Sequence, residues 1–380
     1  MSYENELLMI PGPVPVLPRI LRAMSKPMIH HRLAEFASIL NECEEVLKEV
    51  FKTKNDIFII SGSGTAGMEA AVCNVLDRDD KLICVVNGKF GERFKEIGER
   101  YGKTISIEFE WGSSIELDKV EEALEDGATA ITLVHNETST GILNPAREIA
   151  KLAREHDALF IMDGITSIGG DDVRVDEWGV DIAICGSQKC LGMPPGLAIV
   201  AVSERAWSVI NEKPRRYYLD LRAYKKARAK AQTPYTPALP LFFALQEACK
   251  VIKEEGMEQR IKRHRKAARA VREAAIAMGL ELFPKLNAIS SYSNTVTAIK
   301  LPIGVSDKDF RAAVRKKGVI IAGGQEHLSG KIFRIGSMGN FTSKEILTAV
   351  QAVELTLKEF NVLTEFGRGV EAAQRVYMEA

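Results

Sequence analysis

Three short segments carry residues whose types and spacing could do chemistry. Ser61-Gly-Ser-Gly-Thr-Ala-Gly67 directly follows a strand-like run, Asp56–Ile60, and precedes an Ala-rich helical stretch. A glycine-rich turn at a helix N-terminus presents free N–H groups and the positive end of the helix dipole, which together cradle phosphate. Formally it reads Gly62-x-Gly64-x-x-Gly67, the dinucleotide fingerprint. That fingerprint also needs an acid at the end of the next strand to hold a ribose, and the run Leu82–Val86 ends in Asn87. The turn therefore reads as a phosphate site without a dinucleotide, or as a tight turn with no ligand. Asp163 ends the run Leu159–Met162, where open α/β sheets place ligand groups; an isolated aspartate there caps the next helix as readily. Lys189, in Ser187-Gln188-Lys189, follows the run Ile182–Cys185, and alone it reads as a solvated charge.

The combination says more than its parts. A phosphate cradle, a lysine able to form an imine, and an acid to face a pyridine nitrogen are what pyridoxal phosphate requires of a protein. Asp163 and Lys189 follow successive strands, so both reach the same sheet edge.

Such positions need a rigid scaffold, and the chain has the pattern of one. Strand-like runs at Asp56–Ile60, Leu82–Val86, Ser106–Phe109, Ala130–Val134, Leu159–Met162, Ile182–Cys185 and Leu197–Val202 alternate with helical stretches. Most are continuously apolar, as strands buried on both faces are. Alternation of this kind predicts an α/β domain with a largely parallel sheet. Residues 1–18, with Pro11-Gly-Pro-Val-Pro15 and Pro18, predict an extended arm that is not helical. Helical periodicity follows through Phe36, Ile39, Leu40, Cys43, Val46, Leu47 and Val50. Beyond about residue 240 a long charged helical stretch runs to about Gly279. A smaller α+β pattern ends the chain: Thr295–Leu301, a helix from Asp307, Val319–Ala322, Ile332–Ile335 and a helix over Lys344–Phe360. The expected organisation is an arm over 1–18, a large cofactor-binding domain over 19–275 and a small domain over 276–380.

Bulk properties agree with a two-domain globular chain. The 380 residues exceed what one core usually accommodates. Basic and acidic residues number 51 each, so no net charge draws the chain to nucleic acid or an anionic membrane. No apolar run approaches the roughly 18 residues of a membrane helix. The acidic start, Met1-Ser-Tyr-Glu-Asn-Glu-Leu7, is unlike a targeting sequence, which makes cytoplasm the expectation. Six cysteines, at 43, 73, 84, 185, 190 and 249, form no Cys-x-x-Cys pair and read as small buried hydrophobes in a reducing compartment.

The sequence resembles the class V aminotransferases of fold type I, most closely their alanine–glyoxylate and serine–pyruvate branch. Nearly the whole chain takes part, through Pro11-Gly-Pro13, Ser61-Gly-Ser-Gly-Thr65, Asn87-Gly-Lys-Phe-Gly91, His135-Asn-Glu-Thr-Ser-Thr-Gly141, Asp163-Gly-Ile-Thr-Ser-Ile-Gly-Gly170, Gly186-Ser-Gln-Lys-Cys190, Pro194-Pro-Gly196 and Arg334-Ile-Gly336. The resemblance implies a mostly parallel seven-stranded sheet and a smaller α+β domain. It implies that Lys189 is the Schiff-base lysine and proton shuttle of pyridoxal 5'-phosphate, and that Asp163 partners the pyridine nitrogen. It assigns Ser63, Gly64, Thr65, Ser187 and Gln188 to the phosphate, and Thr138 to the ring hydroxyl. Phe90 takes the ring-stacking place, where close relatives often carry tryptophan. Arg334 would grip the substrate carboxylate, with Gly12 lining the same pocket. Thr233 and Thr236, in Gln232-Thr-Pro-Tyr-Thr-Pro237, would reach the phosphate of a neighbouring subunit, making a homodimer with shared sites. The implied reaction is transamination between a small amino acid (alanine, serine or aspartate) and a 2-oxo acid such as glyoxylate or pyruvate.

Other features stay open. His30-His-Arg32 fits either a pocket mouth or a solvated cluster. Lys213–Lys230 holds eight basic residues and one acid, and three tyrosines, 217, 218 and 224. Anionic-substrate attraction or plain surface accounts for it better than nucleic acid. The competing activity is a lyase of the same fold, such as a cysteine desulfurase. Those enzymes need a nucleophilic cysteine shortly before the carboxylate arginine, and Gly318–Phe333 has none. The cysteine beside the lysine, Cys190, is expected to point the other way. A catalytically inert binding subunit would not keep Asp163, Lys189 and Arg334 together.

Overall fold

The computed structural model describes residues 6–379; residues 1–5 of the expected arm lie outside the described residues. The strand-like runs assemble into one central sheet of seven strands: β1 (Asp56–Ser61), β2 (Lys81–Val86), β3 (Lys103–Glu108), β4 (Ala130–Val134), β5 (Leu159–Asp163), β6 (Ile182–Gly186) and β7 (Leu197–Val202). Their order is β1-β7-β6-β5-β4-β2-β3. Only β7 runs against its neighbours; the other pairings are parallel.

Side chains alternate between the sheet faces along each strand. Ile57, Ile59, Ile199 and Ala201 join one core with helices Ala34–Phe51 and Leu239–Glu255. Phe58, Ile60, Ala198 and Val200 join the other with helix Gly64–Val75. Burial on both faces is why these strands read as unbroken apolar runs. The edge strand β3 is the exception. It covers Lys103–Glu108 and not Ser106–Phe109, because it is half-exposed and only Ile105 and Ile107 mark it in the sequence.

Two further expectations are corrected. Pro18 is not in an extended arm: it opens helix Pro18–Ala23, where its missing N–H costs nothing because the first turn has no partner for it. The long helical stretch after residue 240 is two helices, Leu239–Glu255 and Met257–Ala277, broken at Gly256 with φ +78°, a conformation glycine adopts without strain.

The C-terminal part forms its own core around an antiparallel sheet of Val296–Lys300, Ile332–Gly336 and Ala322–Gly323. A helix not picked out from sequence, Arg368–Met378, packs on helix Met257–Ala277. Helix Met257–Ala277 ties the two parts together. Its Arg260, wholly buried, donates to the carbonyls of Gly169 and Cys190 and to Asn340 Oδ1. The N-terminal segment pairs Leu7–Leu8 with Val319–Ile320 and then carries Pro11 and Gly12 towards Lys189. All six cysteines are buried and free. No helix of the described residues is long and apolar enough to cross a membrane.

Candidate active site

The ends of β1, β4, β5 and β6 meet at one edge of the sheet, and the loops leaving them form a cavity. Eight of the positions named from sequence line it: Ser63, Gly64, Thr65, Phe90, Thr138, Asp163, Gln188 and Lys189. Ser63 is the N-cap of helix Gly64–Val75, yet its hydroxyl makes no capping bond. Gln188 Oε1 is buried without a hydrogen-bond partner. Both residues line the cavity.

The charged groups are perturbed by burial. Asp163, at the last position of β5, accepts the Ile165 N–H at 2.7 Å; burial pushes its carboxyl up to about 7. Lys189 donates to the Pro11 carbonyl at 2.5 Å; burial pushes its ammonium down to about 8. Desolvation disfavours the charged form of each.

The remaining named residues lie around this cavity or away from it. Gly12 stands against Lys189, where an added Cβ would sit 2.8 Å from Nζ. Arg334, on strand Ile332–Gly336, donates to Thr138 O at 2.9 Å, Gly323 O at 3.0 Å and Gln325 Oε1 at 3.3 Å; burial lowers its guanidinium to about 10. The Ser187 hydroxyl is engaged inside the chain, donating to Pro194 O and accepting from the Leu197 N–H. Thr233 donates to Tyr235 O, Thr236 is exposed, and neither lines this chain's own cavity.

Two charged residues were missed from sequence. Arg93 lines the cavity; its place three residues after Phe90 on helix Lys89–Tyr101 puts both on one helical face, a signal that was available. Glu137 is buried beneath the site. Its carboxylate accepts the Phe90, Gly91 and Ser139 N–H groups, and burial raises its pKa. A Cβ on Gly88 would meet Glu137 Cγ at 2.3 Å, so Gly88 is what lets the carboxylate reach that helix end.

The open features also resolve. Arg32 donates to Thr233 O at 2.5 Å and to Gln232 Oε1 at 3.2 Å, which makes it a brace for the threonine loop. Six of the eight basic residues between Lys213 and Lys230 are engaged within the chain. Lys213 pairs with Asp80, Arg215 and Arg222 with Asp220, Lys225 with Asp56 and Arg228 with Glu44, and Arg216 holds the carbonyls of Cys73 and Leu76. Tyr218 donates to Ser61 O and stacks on Tyr235. Cys190 points away from the cavity: its thiol is buried against Thr166 O at 3.4 Å, and burial raises it to about 12.

A mostly parallel seven-stranded sheet that gathers a half-buried lysine, a buried aspartate and a glycine-rich turn at its strand ends defines the pyridoxal-phosphate transferase fold of type I. Within that class, residues 20–345 match the model of the aminotransferase class-V family, and the chain belongs to it. It is 48% identical to an uncharacterized aminotransferase of Methanocaldococcus jannaschii, over 99% of this chain and 98% of that one. It is 39% identical to a Synechococcus protein described as the small subunit of a soluble hydrogenase, over 99% and 100%. The crystal structure of a ureidoglycine–glyoxylate aminotransferase from Bacillus subtilis superposes with a TM-score of 0.91, at 35% identity and covering 98% of each chain. The chain is an aminotransferase, and its chemistry is transamination.

Proposed function

We propose that this chain binds pyridoxal 5'-phosphate through Lys189 and transfers amino groups from a small amino acid to glyoxylate or a similar 2-oxo acid. The observation that carries the reading is the pair Lys189, half-buried, and Asp163, buried, lining one cavity with the turn Ser63–Thr65. The cavity's lining fits the cofactor. Ser63 with the N–H groups of its turn suits a phosphate, and Asp163, which has no cationic hydrogen-bond partner among the described residues, suits a pyridinium N–H. When bound, pyridoxal phosphate supplies a carbonyl that takes the amino group and a ring that accepts electrons from the bond being broken.

The chain's own residues do the rest. Lys189, with its ammonium lowered to about 8, is a base poised near neutral pH and can move a proton at the substrate Cα. Asp163 holds a proton at the ring nitrogen. Arg334 would meet the substrate carboxylate through Nη2, the guanidinium nitrogen without a partner among the described residues, with Gly323 O, Thr138 O and Gln325 Oε1 holding Nε and Nη1 and so orienting it. Phe90 is the stacking face, anchored through its N–H to Glu137. Thr236 is exposed and Thr233, although bonded to Tyr235 O, stands away from this chain's own cavity; their placement supports service to a second copy in a homodimer with shared sites, and six free cysteines support a cytoplasmic enzyme.

Glyoxylate is favoured as acceptor by the name of the Bacillus subtilis enzyme. The hydrogenase description belongs to the Synechococcus relative and to one from Anabaena cylindrica; the family model names an aminotransferase. The lyase alternative lacks its nucleophile, since Cys190 is turned away.

The test is borohydride reduction of the purified protein followed by peptide mapping, with a panel of amino donors against glyoxylate, pyruvate, oxaloacetate and 2-oxoglutarate. Fixation of the cofactor on Lys189, and turnover of alanine, serine or aspartate with glyoxylate, is the expected result. Labelling of another lysine, or turnover by Lys189→Ala, would sink the assignment.

A further inference from the structure

We propose that Arg93 supplies the positive charge that holds the phosphate of the cofactor. The proposal rests on the pyridoxal-phosphate reading above and adds a residue to it. Arg93 lies on helix Lys89–Tyr101 and lines the same cavity as Lys189. Its Nη1 donates to Thr65 Oγ1 at 3.3 Å, and its guanidinium lies 4.7 Å from the centre of the Phe90 ring.

Thr65 is in the first turn of helix Gly64–Val75, and that turn holds no acidic residue. The N-terminus of a helix carries partial positive charge and disfavours a cation. Arg93 is therefore a cation facing a positive helix end. The acids of its own helix do not relieve this: Glu92 and Glu96 pair with Lys89, and among the described residues Arg93 forms no ion pair. Asp163 lines the same cavity and lies within reach of the Arg93 charge, but among the described residues it makes no ion pair with Arg93; the guanidinium and the helix end still suit an anion between them. A phosphate meets both, through the free N–H groups of the turn and a charge-assisted bond from the guanidinium. The distal carboxylate of a dicarboxylic amino donor has related chemistry, but the contact with Thr65 sets the guanidinium on the phosphate cradle.

The experiment measures binding and not turnover. Cofactor-free wild type, Arg93→Gln and Arg93→Lys are titrated with pyridoxal 5'-phosphate and, separately, with pyridoxal, which has no phosphate, and binding is read by absorbance. Arg93→Gln is expected to bind pyridoxal phosphate on the order of tenfold to a hundredfold more weakly, the range of a charge-assisted hydrogen bond in a site. Its pyridoxal affinity should stay near wild type, which also reports that the variant is folded. Arg93→Lys, which keeps the charge without the fork, should fall between. If Arg93→Gln binds pyridoxal phosphate as wild type does, the proposal is overturned, and a KM that then rises for aspartate but not alanine assigns the guanidinium to substrate. Equal loss of pyridoxal and pyridoxal phosphate overturns it too. A wild type that binds neither overturns the cofactor reading itself.

Discussion

Gly12 and Lys189 are packed so closely that a Cβ on Gly12 would force the lysine side chain to move. A Cβ on Gly12 would stand 2.7 Å from Lys189 Cδ and 2.8 Å from Nζ, and Gly12 holds φ at +92°. Gly12→Ala is thus strained in the backbone and displaces the lysine. Misplacing a reacting group by about 1 Å costs roughly 100-fold in rate, so kcat should fall by tens of fold or more while the protein still folds. Absorbance of the bound cofactor should shift with it. Wild-type kcat in a folded Gly12→Ala enzyme would show that Lys189 does not need this contact.

Asp163 gives a pH signature in the cofactor-free protein. Its folded carboxyl titrates at about 7, against about 3.9 when unfolded. Between those values the folded chain binds more protons, so this group makes stability fall as pH rises, and the loss is complete above about pH 7. Asparagine does not titrate. Cofactor-free Asp163→Asn should gain melting temperature over cofactor-free wild type at pH 7.5, and the gain should shrink towards pH 4.5. The same variant should lose most transaminase activity. A melting difference constant across that range would refute the raised pKa.

Arg334 tests carboxylate recognition. Truncating a buried charged hydrogen-bonding group in a site costs about 2–5 kcal/mol. Arg334→Ala should raise KM for amino donor and 2-oxo acid alike, because the clamp acts in ground and transition states together. Wild type should prefer alanine strongly over ethylamine, which lacks the carboxylate. Equal handling of the two amines would remove Arg334 from this role.

Arg260 is expected to govern stability. It is wholly buried and holds carbonyls on two loops, one of them Cys190 O beside the lysine. Removing one partner of a buried charged network costs about 3–5 kcal/mol. Arg260→Met should lower the urea midpoint accordingly, with Arg260→Lys recovering part of it. An unchanged midpoint would mean the network is replaceable by water.

Thr233 and Thr236 can be tested by complementation. In the proposed homodimer, Lys189→Ala ruins the site that owns the lysine, and Thr233→Ala with Thr236→Ala should weaken the site across the axis. In a mixed dimer one site carries both defects and the other neither. Co-refolding at equal ratio should return about a quarter of wild-type activity under random pairing of two-fold dimers, given a nearly inactive threonine variant. Recovery no greater than the mean of the parents would assign both threonines to their own chain.

Much of this was legible in the sequence because it is local. Burial on both faces leaves continuous apolar runs, so β1, β2 and β4–β7 could be read directly; β3, a half-exposed edge, could not be placed to the residue. Asp163 and Lys189 stand where those runs end, and the glycine-rich turn announces its helix, so chemistry and scaffold point to one sheet edge. Tertiary structure alone decided the rest. Lys189 meets the Pro11 carbonyl across 178 residues of chain, and Arg334 meets the Thr138 carbonyl across 196. Arg93 and Glu137 look like ordinary helix and loop charges until the cavity closes around them. Such contacts have no periodic trace, because they depend on where distant segments are folded. The shifted pKa values of Asp163 and Lys189 follow for the same reason, since desolvation is a property of the assembled site.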